Sequence, residues 1–229
     1  MYNRPQKLVA EFVGTFALIF FGAGSICADQ FLRTSGQGGL GLLGIALAHG
    51  LAIGIMVTSL GHISGGHFNP AVTIGFWVTR KLSTIDTLAF WVVQLAGAAA
   101  AAYLLRLLPF DVWTAVQLGT PDLASGISRT NGMIFEGIMT FFLVFVVFAT
   151  AVDARGAFNK IAGFAIGLTI TMGALFGGPF TGAALNPARA FGPALAANHW
   201  TNHGVYWIGP LAGGVAAGWL YDMLFLKKE

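Results

Sequence analysis

Two stretches of the chain decide its reading: SGGHFNPAVT at 64–73 and TGAALNPARA at 181–190. They are offset by 117 residues and share one box, Asn69-Pro70-Ala71 in the first and Asn186-Pro187-Ala188 in the second. Asn is a preferred helix N-cap, and Pro suits the first helical turn, where its missing N–H is not needed. Each box therefore reads as a helix start. The segments in front of them, HISGGHF at 62–68 and GGPFTGAAL at 177–185, are Gly-rich and are expected to be non-helical. The helices that follow, about 69–79 and 186–197, are short. Each covers only about half of the roughly 30 Å of bilayer hydrocarbon.

Around these lie six long apolar segments, at about 8–28, 40–61, 84–108, 131–152, 159–177 and 204–226. Only 9% of the 229 residues are charged and 56% are hydrophobic. A soluble domain carries about 25% charge, so the apolar segments read as transmembrane helices. The first is longer than the apolar core of a signal peptide and is read as a retained span. A net charge of +3 without a basic stripe argues against nucleic-acid binding. The single cysteine, Cys27, excludes an internal disulfide, and the Cys/His spacing of a zinc site is missing. No metal or cofactor is expected. Without a nucleophile–base set or a phosphate loop, an enzyme is not expected either.

The repeat extends beyond the boxes. AEFVGTFALIF at 10–20 answers FEGIMTFFLVF at 135–145, which aligns Glu11 with Glu136 and Thr15 with Thr140. Three spans per half place the second half upside down. The expected fold is an all-α membrane protein: six transmembrane helices plus two re-entrant half-helices in an inverted 3+3 repeat. A single channel domain, 1–229, would comprise half-repeats 1–115 and 128–229 joined by the loop at about 109–130. Inverted repeats put their site at the midplane on broken helices. Irregular backbone at that depth is tolerated where it lines a cavity or is buried in protein. The two short helices would meet N-terminus to N-terminus, each end carrying roughly +0.5 of a charge. With the Asn69 and Asn186 amides in the path, a passing water must accept there. Its hydrogens then point outward, which breaks a proton-hopping chain. Arg4, Lys7, Arg80, Lys81, Arg155, Lys160, Lys227 and Lys228 all fall on one side of such a topology. The positive-inside rule makes that side cytoplasmic, with both termini. A plasma or inner cell membrane is the expected location.

SGGHFNPAVT and GPFTGAALNPARAFGPA resemble the major intrinsic proteins, the aquaporin and glycerol-facilitator family, and the resemblance runs from Glu11 to Tyr221. It implies one pore per subunit of a homotetramer in a lipid bilayer, passing water or small neutral solutes. It also implies a narrow filter at His49, Ala174, Ala183 and Arg189. Arg189 has a case of its own, since a charge in a membrane segment must face water or a partner. His49, in an otherwise apolar span, is either a satisfied buried histidine or a polar filter edge opposite Arg189. Strict water filters pair a span-two aromatic with a span-five His. The set here is smaller and resembles the less selective vacuolar-type members, which implies passage of ammonia, urea or hydrogen peroxide. Glycerol facilitators carry Asp after the second box-plus-Arg, where this chain has Ala190, and Tyr206-Trp207 also matches the water branch. A water channel is therefore implied, with a glycerol facilitator as the alternative.

The resemblance further places the carbonyls of Gly65, Gly66, His67 and Phe68 along the inner half of the path. Those of Gly182, Ala183, Ala184 and Leu185 would line the outer half, facing an apolar wall at Ile53 and Ile170. Glu11 and Glu136 are intramembrane acids, functional by default. Their pairing across the repeat suggests acceptors for re-entrant N–H groups rather than a proton relay. A secondary transporter would need an acidic coupling site, and only these two are available. Gly50, Gly54, Gly163 and Gly167 form small-xxx-small pairs suited to close helix crossing.

Overall fold

A computed structural model describes residues 2–155 and 161–226. Lys160, Lys227 and Lys228 lie outside the described residues. Among these residues the chain is helical throughout, in the order α1 (Arg4–Thr34), α2 (Gly41–Ser64), α3 (Pro70–Val78), α4 (Thr84–Leu105), α5 (Phe110–Ala115), α6 (Arg129–Val152), α7 (Ala162–Thr181), α8 (Pro187–Ala197) and α9 (Val205–Leu224). Five of the long helices are each apolar and long enough to cross a membrane by length and composition. The sixth, α9, matches them in length at 20 residues. Its Gly, Trp and Tyr content lowers its hydropathy without shortening it.

Local signals explain several boundaries. α1 begins well before the apolar run because Asn3 and Gln6 form a reciprocal capping box with Pro5 in the first turn. It is interrupted by a π turn over Leu18–Ala23. Ser83 and Ser128 cap α4 and α6 by accepting from Asp86 and Asn131 backbone N–H groups. The segments at 62–68 and 177–185 depart from expectation. α2 continues to Ser64 and α7 to Thr181, carrying Pro179 inside its last turn. The break starts only at Gly65 (φ 99°) and Gly182 (φ 77°), both left-handed helix ends that a side chain would disfavour. The linking loop also holds more structure than its Gly and Pro content suggests: α5 and a 3-10 turn over Gln117–Gly119.

Packing follows the repeat. α1 packs on α4 as α6 does on α9, and α8 packs on α4 as α3 does on α9. Exchanging the halves maps each contact onto its counterpart, and α2 crosses α7 at the symmetry point. That crossing is glycine-built. A Cβ on Gly50 would sit 2.5 Å from the Gly167 carbonyl oxygen, and one on Gly167 would sit 2.5 Å from that of Gly50. Gly213 does the same for α9 on α6, where a Cβ would lie 2.1 Å from the Gly137 carbonyl. Outward rows such as Leu43, Leu47, Leu51 and Ile55 on α2 are exposed, an apolar belt suited to lipid. One end of the bundle is stitched by ion pairs, Arg4 to Asp86 at 3.0 Å and Lys81 to Asp222 at 2.8 Å. There Arg155 also binds Asp153 at 2.7 Å and donates to the Phe225 carbonyl. Arg4, Lys81 and Arg155 therefore share one face.

Candidate functional site

The site starts from the two capping asparagines. Asn69 Oδ1 accepts from the Ala71 N–H at 2.8 Å, and Asn186 Oδ1 accepts from Ala188 at 2.9 Å and Arg189 at 3.3 Å. With each oxygen occupied by its own helix, each amide nitrogen is turned away from it. Asn69 Nδ2 donates to the Leu185 carbonyl and Asn186 Nδ2 to the Phe68 carbonyl, both at 2.9 Å. These bonds are images of each other under exchange of the halves. Each NH2 has a second N–H, and both asparagines border one cavity.

The loops leading to the asparagines are fastened from behind by the two buried glutamates. Glu11 accepts from Ser64 Oγ (2.7 Å), His67 N (2.9 Å), Phe68 N (2.7 Å) and Gln94 Nε2 (2.8 Å). Glu136 accepts from Thr181 Oγ1 (2.6 Å), Ala184 N (2.9 Å) and Leu185 N (2.7 Å). The N–H groups of Gly66 and Ala183 go to Ser64 Oγ and Thr181 Oγ1. In a planar trans peptide the N–H and C=O point in opposite directions. Holding these six N–H groups on the glutamate side therefore turns the carbonyls of Gly65, Gly66, His67, Gly182, Ala183 and Ala184 the other way. The Phe68 and Leu185 carbonyls end each row and take the opposing asparagine. Phe68, Ala183 and Leu185 hold positive φ of 50°, 45° and 52°, a strain of roughly 1–2 kcal/mol each for non-glycine residues. The halves differ in one buttress. Gln94 bridges Glu11 and Thr73 Oγ1 (3.0 Å) in the first half, whereas Tyr206 donates to the Thr181 carbonyl (2.8 Å) in the second.

A cavity of about 180 Å³ runs along these groups. Of the positions singled out by sequence, it is bordered by His49, Ile53, Gly66, His67, Asn69, Ile170, Ala174, Gly182, Ala183, Ala184, Leu185, Asn186 and Arg189. Gly65, Phe68, Pro70, Ala71, Pro187 and Ala188 stand behind it, as do Glu11 and Glu136. The Phe68 ring is packed into Gly14, where a Cβ would fall 2.2 Å from it. Leu18 and Leu143 also border the cavity, and the repeat itself aligned them without their being singled out.

Arg189 is buried. Its Nη1 donates to the Gly119 carbonyl at 2.7 Å, and its Nε has no partner among the described residues. Gly119 belongs to the 3-10 turn of the linking loop, and no sequence pattern marked it. His49 Nδ1 lies 2.9 Å from the Ile45 carbonyl and must carry the proton, since a carbonyl only accepts. Its Nε2 is buried without a partner among the described residues. The Cδ2–Nε2 edge lies against Gly22 of α1. Beyond the cavity's mouth, Asp122 accepts from Asn202 Nδ2 at 2.9 Å and meets His199 Nε2 at 3.0 Å. Burial pushes the Asp122 carboxyl up, but these bonds and the Leu123 N–H together hold it below its ordinary value.

Comparison with known proteins adds four findings. The family described as "Major intrinsic protein" matches residues 2–221. A "Probable aquaporin TIP3-2" of Arabidopsis thaliana is 43% identical over 230 residues, covering 97% of this chain and 85% of that protein. An "Aquaporin TIP4-4" of Zea mays is 42% identical, covering 97% and 88%. Among solved structures, the aquaglyceroporin from Plasmodium falciparum superposes with a TM-score of 0.85 at 26% identity, covering 97% of both chains. The TIP-type relatives are tonoplast channels, and this overturns the expected plasma or inner cell membrane. The physical reason is simple: charge asymmetry orients a chain relative to the cytoplasm but does not identify which membrane it enters.

Proposed function

Because this chain belongs to the major intrinsic protein family, we propose that it is a passive water channel whose pore lies between half-repeats 1–115 and 128–229. The observation that carries this reading is the reciprocal pair of bonds from Asn69 to Leu185 and from Asn186 to Phe68. They fix one N–H of each amide and leave the second directed to the shared cavity. A water between them accepts from both and turns its hydrogens toward the two mouths. The N-termini of α3 and α8 add a positive field at the same place, which excludes protons and cations. On either side, carbonyls of Gly65, Gly66 and His67 and of Gly182, Ala183 and Ala184 supply acceptors to the file. Ile53 and Ile170 form the apolar wall that keeps each water loosely held. Arg189, His49, Ala174 and Ala183 form the filter, with Arg189 repelling cations and fixed by the Gly119 carbonyl.

The two alanines leave that filter wide enough for small neutral solutes such as ammonia, urea or hydrogen peroxide. A glycerol facilitator is the weaker reading. Ala190 is packed with Ala184, Val205 and Tyr206 in a small apolar cluster that gives a carboxylate no place. Assembly as a homotetramer belongs to the same proposal. It is supported by family membership. The test is stopped-flow light scattering on proteoliposomes under water, urea, ammonia and glycerol gradients. Fast water flux with slow glycerol flux is expected. Glycerol flux rivalling water would make the chain a facilitator, and saturable ion-coupled flux would make it a transporter.

A further inference from the structure

Span one carries a feature that the pore description does not use. Its π turn over Leu18–Ala23 holds one residue more than an α turn and so rotates the rest of the helix by about 100°. Gly22 lies inside that turn. A Cβ built on it would meet His49 Cδ2 at 2.7 Å, Nε2 at 3.0 Å and Cγ at 3.1 Å. The imidazole thus occupies the volume that any side chain at position 22 would take. The repeat supplies an internal contrast. The register that pairs Glu11 with Glu136 puts Gly22 opposite Val147, and the register of the two Asn-Pro-Ala boxes puts His49 opposite Ile166; both of these border the cavity with full side chains.

We propose that Gly22 is a specificity-determining position: it seats the His49 imidazole in a notch of span one, and so keeps the constriction wide enough for small polar neutral solutes of the urea class. The His49 ring lies between α1 and the cavity, with Nδ1 tethered to the Ile45 carbonyl. A methyl on Gly22 pushes it toward the cavity, where Ala174 and Ala183 leave room opposite Arg189. Water still passes a narrowed opening, whereas a solute wider than water is held back. Gly22 touches no permeating molecule and acts only through His49. The inference rests on the water-channel reading and names the solute class of the same pore.

The experiment measures water and urea permeability in proteoliposomes for the wild type, Gly22→Ala, His49→Ala and the double variant. Gly22→Ala is expected to lower the urea-to-water ratio by roughly tenfold, the scale on which one methyl group discriminates in a fitted site. The same methyl is expected to have no effect when His49 is already alanine, so the double variant matches His49→Ala alone. An unchanged ratio in Gly22→Ala overturns the proposal. So does a methyl effect that persists in the His49→Ala background, which marks helix damage rather than seating. If the wild type passes water but excludes urea, the wider-solute reading of the pore fails. The water permeabilities of the same four proteins then decide whether Gly22 acts through His49.

Discussion

Replacing Glu11 with glutamine keeps the shape of the side chain and removes the acceptor capacity that the first re-entrant loop depends on. Both carboxylate oxygens face donors: Ser64 Oγ and His67 N on one, Phe68 N and Gln94 Nε2 on the other. Whichever way the new amide lies, its NH2 confronts a backbone N–H that cannot rotate away. Ser64 can turn its hydroxyl to accept, and Gln94 can flip, since its Oε1 is unpartnered. One orphaned N–H therefore remains, at about 1–3 kcal/mol, and the surviving bonds lose charge assistance of roughly 1 kcal/mol each. Removing a charge from the membrane interior returns part of this. The net expectation is a loss of about 2–4 kcal/mol, or roughly 4–16 °C in thermal midpoint for a chain of this size. Fluorescence-detected size-exclusion chromatography after heating reads the midpoint, and stopped-flow reads water flux. Flux should fall as well, because Phe68 N and the Phe68 carbonyl that holds Asn186 belong to one residue. A variant that keeps both the wild-type midpoint and the wild-type flux would refute the fastening role of Glu11.

Arg189→Val should raise proton or cation leak. At about 5 Å and an effective dielectric of about 20, one charge contributes roughly 3 kcal/mol to the barrier, or about a hundredfold in rate; a pH-jump assay with a trapped dye that shows no added leak contradicts this. Gly213→Ala places a Cβ 2.1 Å from the Gly137 carbonyl, whereas a Cβ at Gly204 meets nothing within 4 Å. Folded yield should fall sharply for the first and stay near wild type for the second, and equal yields would remove the packing argument. Asp153 is held well below the usual carboxylate range, chiefly by its hydrogen bond from the Arg155 side chain. A depressed folded pKa means its contribution is complete above the ordinary value of about 4 and is lost as pH falls through the folded value. The wild-type midpoint should drop steeply on acidification below about pH 4, and Asp153→Asn should start lower and fall less; parallel curves would contradict the linkage.

Much of the candidate site was legible because it is written twice. Asn69 and Asn186 carry helix-start chemistry in matching places, and Glu11 and Glu136 align without any appeal to structure. What escaped has no repeat and no period. Gly119 reaches Arg189 from a loop whose Gly and Pro content suggests only a connection. The capping of α1 by Asn3 lies upstream of the apolar run, so hydropathy misses it. The continuation of α7 through Pro179 was hidden by the glycines around it, which favour breaks in general but here serve close packing. The seat of His49 against Gly22 joins two helices through a contact for which a single sequence carries no signal.

The crossed asparagine bonds also impose an order on biosynthesis. Asn69 finds its acceptor 116 residues downstream. At about 5–20 residues per second, that partner is made roughly 6–23 seconds later. During this interval the nascent first half lies in the translocation machinery or the lipid with one amide and one carbonyl unmatched. The closing of the channel is thus a late event of synthesis, and a ribosome that stalls between the halves leaves a membrane-embedded fragment with an open polar seam.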